Sequence, residues 1–261
     1  MTGRSPVTYI GVSTKMYLGY HASLRWLSDV HRLVAKRESS LANARVQLFV
    51  VPSFPLLEQA VRTFADTSVW VGAQNCAWGD GALTGEVSAA LLDEMGVRIV
   101  EIGHAERRSL FHEHDAIIAQ KAAVARAAGL MPLLCVGEPE RCSAEDAAQY
   151  CLEQVRAAVE LASETTGNTP EPVLIAYEPV WAIGAADPAP VDYVNDVISL
   201  LRTALGVPVG IIYGGSAGPG LLPRLPAADG LFLGRFAHDP ANLARVLDET
   251  IVGRPELQES A

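Results

Sequence analysis

Eight short apolar runs, separated by longer amphipathic stretches, constrain this chain more than any other feature. They cover residues 7–13, 46–51, 69–73, 98–102, 131–136, 173–177, 209–213 and 230–234. Most are continuously apolar rather than alternating, as strands covered on both faces are. The intervening stretches carry helical spacing, as in Leu152, Val155, Val159 and Ala162, or Val194, Val197, Leu201 and Leu205. Pro139 and Pro190 fall near helix starts, and Gly129 and Gly206 near helix ends. Strands alternating with helices predict an α/β fold, either a closed (β/α)8 barrel or an open doubly wound sheet, with the pattern favouring the barrel.

A chain of 261 residues fits one barrel domain spanning 1–261. The Ala-Ala-Asp-Pro-Ala-Pro stretch at 185–190 reads as a loop, because a helical pattern follows at once. The polar tail, 254–261, is expected to fray. With 20 basic against 30 acidic residues the net charge is −10, which argues against nucleic acid as a partner. An anionic ligand must then be held by local devices such as backbone N–H groups and one or two cations. Cys76, Cys135, Cys142 and Cys151 show neither C-x-x-C nor metal-ligand spacing and read as free thiols in a reducing compartment. No stretch reads as a signal peptide or a membrane span, so a cytoplasmic protein is expected.

In a barrel, residues at the C-terminal ends of the strands converge on one mouth. Lys15 follows the first run, His104 the fourth and Glu178 the sixth. Taken singly, each reads as a solvated charge or a cap. Together they supply what proton transfer beside a carbonyl needs: a base, a hydrogen-bond donor and a cation. Tyr213-Gly214-Gly215-Ser216 and Gly234 end the seventh and eighth runs, where barrels commonly bind phosphate. His112-Glu113-His114-Asp115 has H-x-H spacing but no third ligand, so a metal site is not expected there. Asp115 reads instead as a helix cap. Trp78, Trp181 and Phe111 read as core or loop-packing residues.

The segments STKM, GAQNCAWGDGALTGEVSAALLDEMG, IGHAERR, CVGE, AYEPVWAIG, YGGS and the final DG-x-x-x-G resemble triosephosphate isomerase over nearly the whole chain. The resemblance implies a cofactor-free isomerase working through an enediol(ate). Glu178 would be the base, His104 a neutral imidazole bonding the substrate oxygens, and Lys15 the cation, with Glu106 hydrogen-bonding near the lysine. This family is itself the standard example of a carboxylate base paired with a neutral imidazole, so these roles come from the resemblance. Taken without it, Glu106 reads as a surface partner of Arg107 or Arg108. Residues 179–184 would form a hinged lid, and Gly184, Gly215, Ser216 and Gly234 would hold phosphate. Residues 74–96 resemble the family's dimer loop, with Thr84 at the tip and Glu86 beside it, which implies a homodimer.

The chain departs from the family around this mouth. Ser13 and Tyr17 stand where the family has asparagines, Arg235 replaces the second glycine of the strand-eight turn, and Ala185-Ala186-Asp187 replaces part of the lid. Asparagine to serine shortens the side chain and leaves room for about one more carbon atom. With VS-x-KMY, YGGSAGPG and LFLGRFAHDP, these features resemble the branch that isomerises tetrulose phosphates in tetritol breakdown. That resemblance implies interconversion of L-erythrulose 1-phosphate and D-erythrulose 4-phosphate. The alternative is isomerisation of dihydroxyacetone phosphate and glyceraldehyde 3-phosphate.

Overall fold

The computed structural model describes residues 7–166, 173–184, 188–206 and 209–253. Residues 185–187 and the tail 254–261 lie outside them. Eight parallel strands form a closed barrel in sequence order: β1 (Thr8–Ser13), β2 (Val46–Val51), β3 (Trp70–Ala73), β4 (Ile99–Ile102), β5 (Met131–Val136), β6 (Leu174–Tyr177), β7 (Gly210–Tyr213) and β8 (Gly230–Leu233). Strand β1 pairs with both β2 and β8, with Tyr9 opposite Gln47 on one side and Gly230 on the other. That closure decides for the barrel over the open sheet. Every strand lies within one residue of its apolar run, because the end residues sit beyond the ladder.

The helices are α1 (Tyr20–Ala35), α2 (Glu38–Asn43), α3 (Leu57–Phe64), α4 (Ala89–Glu94), α5 (Ala105–Leu110), α6 (Asp115–Ala127), α7 (Ala144–Thr166), α8 (Val191–Leu205) and α9 (Pro240–Val252). Short 3-10 turns at Phe54–Leu56, Val180–Ala182, Leu222–Arg224 and Arg235–His238 complete the connections. The supposed dimer loop is not irregular throughout, since Ser88 caps α4 by accepting from Leu91 N–H and makes its last third helical. Helix α8 ends where Gly206 adopts φ 66°, the left-handed conformation that closes helices.

Strand alternation divides the apolar residues into two clusters. Phe49, Val51, Ile99, Leu133, Cys135, Leu174, Ala176, Ile212 and Phe232 fill the barrel, with the Phe49 and Phe232 rings stacked at 5.7 Å. Their outward neighbours, such as Val50, Val100, Leu134, Ile175 and Ile211, pack under the helices. No helix among the described residues is long and apolar enough to cross a membrane.

The His112–Asp115 stretch differs from expectation. Asp115 is the first residue of α6 rather than its cap, and it accepts from Arg108 Nη1 at 2.6 Å. Glu113 turns inward, accepting from Arg107 and, at 2.5 Å, from the ammonium of Lys121, which is fully buried and also donates to Asn75. An ion pair in the interior depends on close partners of this kind, although Glu113 Oε2 is itself left without one. Trp78 and Phe111, read as packing residues, are 41% and 59% exposed. Trp78 lies on the connection after β3 and Phe111 on the one after β4, where the Arg107 guanidinium sits 4.1 Å from its ring centre.

Candidate active site

Lys15, His104 and Glu178 meet at the C-terminal mouth of the barrel. Lys15 adopts φ 46°, a left-handed conformation that is costly for a side chain with a Cβ. Its carbonyl accepts from Ser53 Oγ at 2.6 Å and from Gln74 Nε2 at 3.0 Å, and these bonds hold the turn. The ammonium donates to Glu106 Oε1 at 2.6 Å. Glu106 therefore pairs with the lysine, while Arg107 and Arg108 are engaged by Glu113 and Asp115. Desolvation, the largest influence on Lys15, lowers its pKa, but the hydrogen bond and charge of Glu106, helped by Glu178 and Glu101, raise it overall.

His104 leaves β4 and caps α5, its Nδ1 accepting from Glu106 N–H at 3.1 Å. Nε2 lies 3.1 Å from Glu178 Oε2 and 3.3 Å from Lys15 Nζ. Burial alone would lower the imidazole pKa. The charge and hydrogen bond of Glu178 and the charge of Glu101 outweigh it and carry the value up to about 9. The geometry at Nδ1 opposes that protonation, because a ring carrying protons on both nitrogens cannot accept from a backbone N–H. The bond at Nδ1 is served only by the neutral tautomer with its proton on Nε2, which then donates to Glu178.

Glu178 is 4% exposed and continues β6, its N–H donating to Val136 O at 2.8 Å. Beyond it, Trp181 Nε1 donates to Glu138 Oε1 at 2.7 Å, and the hydroxyls of Tyr177 and Tyr193 converge on the same carboxylate. That network ties the segment after Glu178 to the end of β5.

A cavity of about 480 Å³ opens above these groups, large enough for a small sugar phosphate. Ser13, Lys15, His104, Glu106 and Glu178 line one part, and Gly184, Gly215, Ser216, Gly234 and Arg235 another. Every residue singled out above for catalysis or phosphate therefore faces one space. Thr84 and Glu86 do not line it and are exposed on the loop after β3.

The sequence model of the triosephosphate isomerase family matches residues 8–250. The chain belongs to the triosephosphate isomerase family. It is 50% identical to the L-erythrulose-1-phosphate isomerase of Pectobacterium atrosepticum, over 92% of this chain and 94% of the relative. The L-erythrulose-1-phosphate isomerase of Rhizobium etli is 39% identical over 88% of each chain. Among solved structures, triosephosphate isomerase from Bartonella henselae matches with a TM-score of 0.76 at 27% identity, covering 93% of this chain and 98% of that one.

Among the described residues, Ser13, Tyr17 and Arg235 lie close together in space. The Arg235 guanidinium lies 5.6 Å from the centre of the Tyr17 ring, and that ring lies 5.8 Å from His238. Burial lowers the His238 pKa; its hydrogen bond with the Ser13 backbone works against this, and the charge of Arg235 adds to the lowering. Trp26 Nε1 anchors this corner by donating to Ala237 O at 2.9 Å. Two members of the mouth were not singled out by sequence. His238 lay hidden among loop residues. Glu101, 5% exposed beneath Ser13, interrupts the apolar run Ile99-Val100-Glu101-Ile102, and that interruption was its signal.

Proposed function

We propose that this isomerase acts on a phosphorylated four-carbon ketose, interconverting L-erythrulose 1-phosphate and D-erythrulose 4-phosphate. The observation that carries the reading is Ser13 lining the cavity beside an intact Lys15, His104 and Glu178. Dihydroxyacetone phosphate becomes erythrulose 1-phosphate when a hydroxymethyl group is added at the end away from the phosphate, and a short side chain makes room there. The name of the Pectobacterium relative supports the same substrate.

In this reading Glu178 takes the proton from C3, and the electrons of that C–H bond form the C2–C3 double bond of an enediolate. His104 gives its Nε2 proton to O2 and takes the O3 proton in its place, and Lys15 stabilises the negative charge on these oxygens. The protonated Glu178 then returns its proton to C2, leaving the carbonyl at C3. The His104 Nε2–H is directed at Glu178, 3.1 Å away. A substrate oxygen replacing the carboxylate on that N–H would free the base for the carbon.

Gly184, Gly215, Ser216 and Gly234 would hold the phosphate through their backbone, and Arg235 would add charge from the side. Residues 179–184 would act as a lid excluding water. A homodimer is supported by exposed apolar groups: Met16, next to Lys15 in the chain, at 88% exposure, and Trp78, Leu110 and Phe111 on the connections after β3 and β4. In such a dimer Thr84 and Glu86 would reach the partner. Free cysteines, three of them buried, suit a cytoplasmic setting.

Steady-state assays of the purified protein with L-erythrulose 1-phosphate and with dihydroxyacetone phosphate test the substrate. Efficient turnover of the triose with none of the tetrulose would overturn it. Ser13→Asn should depress tetrulose turnover more than triose turnover, because the longer amide refills the space.

A further inference from the structure

Strand β4 carries a carboxylate on a face that is otherwise apolar. Ile99 belongs to the cluster filling the barrel, and Glu101, two residues on, points to the same side. Its Oε2 accepts from Ser13 Oγ at 3.2 Å. An ionisable group is costly to bury in such a place, and the reaction derived above makes no use of it. Desolvation lifts its pKa to about 7, with His104 pulling the other way.

Ser13 has a foot in both places, lining the cavity while hydrogen-bonding the carboxylate behind it. A serine hydroxyl has one proton and two lone pairs. With the proton given to Glu101, the lone pairs remain for a donor in the cavity. The group that distinguishes a four-carbon ketose phosphate from a triose phosphate is a terminal hydroxymethyl, which brings one O–H donor.

We propose that Glu101 is a positioning residue for substrate choice: by accepting the Ser13 hydroxyl proton, it makes Ser13 Oγ an acceptor for the terminal hydroxyl of a four-carbon sugar phosphate. This rests on the tetrulose-phosphate reading above. A site built to bond a hydroxyl discriminates strongly against ligands that lack it, because its polar groups are then left unpaired. Binding of a triose phosphate, which has no such hydroxyl, is indifferent to Glu101.

The test uses the full-length protein with Glu101→Met, Glu101→Leu and Ser13→Ala, singly and with each Glu101 variant combined with Ser13→Ala. Two quantities are read: kcat/KM for L-erythrulose 1-phosphate and the calorimetric Kd for dihydroxyacetone phosphate. Glu101→Met should lower the first roughly ten- to hundredfold, while the second stays within about threefold. Ser13→Ala should do the same, and the double variant should lose no more than the worse single one. Equal losses in both quantities, additive losses in the double variant, or no loss at all would overturn the proposal. If Glu101→Met does not fold, Glu101→Leu, which likewise offers no acceptor, decides: a tetrulose-selective loss that vanishes in the Ser13→Ala background supports it, and any other result overturns it. Unmodified protein that does not turn over the tetrulose phosphate overturns the substrate reading and this inference with it. Unmodified protein that does, with unchanged selectivity in the Glu101 variants, overturns this inference alone.

Discussion

Gly214→Ala gives the most direct test of the proposal that Glu178 is the base. Gly214 follows β7, and its N–H donates to Tyr177 O at 2.9 Å, so the backbone there is pinned beside Glu178. A Cβ at this position would lie 2.5 Å from Glu178 Cγ and 2.8 Å from Cδ, and would also press on Oε1. Ordinary contact begins at 3.4 Å, so the Glu178 side chain must retreat by about 1 Å. Retreat breaks the alignment with His104 Nε2, now at 3.1 Å. A misplacement of about 1 Å in a catalytic group costs on the order of 100-fold in rate, or about 2.7 kcal/mol of barrier. The expected result is a kcat reduced about 100-fold with KM changed little, because the backbone of Gly214, pinned to Tyr177 O, need not move and leaves Gly215 and Ser216 in place. Steady-state isomerisation kinetics measure both, and solvent deuterium incorporation at the substrate carbon should slow in parallel. Thermal melting should hold, since the methyl displaces one side chain rather than the barrel. An alanine variant with wild-type kcat would show that the base tolerates displacement, and a loss found only in KM would place the damage outside proton transfer; either outcome contradicts the assignment.

Stability offers independent checks. Glu113→Ala would strand the Lys121 ammonium, which is fully buried, and should cost about 3–5 kcal/mol; a melting temperature lowered by less than a few degrees would contradict this. Glu101 has a pKa raised from 4.5 to about 7 by burial. Above 4.5 the unfolded chain releases that proton while the folded chain keeps it, so wild-type stability falls as pH rises towards 7. At about 1.4 kcal/mol per pH unit the loss is capped at about 3 kcal/mol. Melts of Glu101→Gln should lack this slope, and parallel curves for the two proteins would argue against it. In the homodimer proposed above, Met16→Asp should shift sedimentation from dimer to monomer and reduce activity through the adjacent Lys15; an unchanged sedimentation coefficient at dimer size would remove Met16 from the interface.

The eight strands were legible in the sequence because a strand buried on both faces must be apolar on both, and few other structures tolerate such short apolar runs. Lys15, His104 and Glu178 were legible for a related reason: a polar residue directly after a buried strand stands out, and the barrel's geometry brings such residues to one mouth. The pairing of Glu106 with Lys15 rather than with Arg107 or Arg108 was not decided by residue type, since all three cations suit a carboxylate equally. It depended on α5 turning Glu106 back towards β1, with Arg107 and Arg108 drawn off to Glu113 and Asp115.

The order of strands and helices, and the chemistry offered at each strand end, are written in local pattern and follow from the residues alone. Closure of the sheet does not, nor does the pairing of Asp115 with Arg108 in place of a cap on α6. The same holds for the gathering of Ser13, Glu101, Tyr17, Arg235 and His238 in one corner of the mouth. These contacts join positions far apart along the chain and exist only once the barrel has formed. Their energies depend on distance and burial in three dimensions, which no local pattern of residues records.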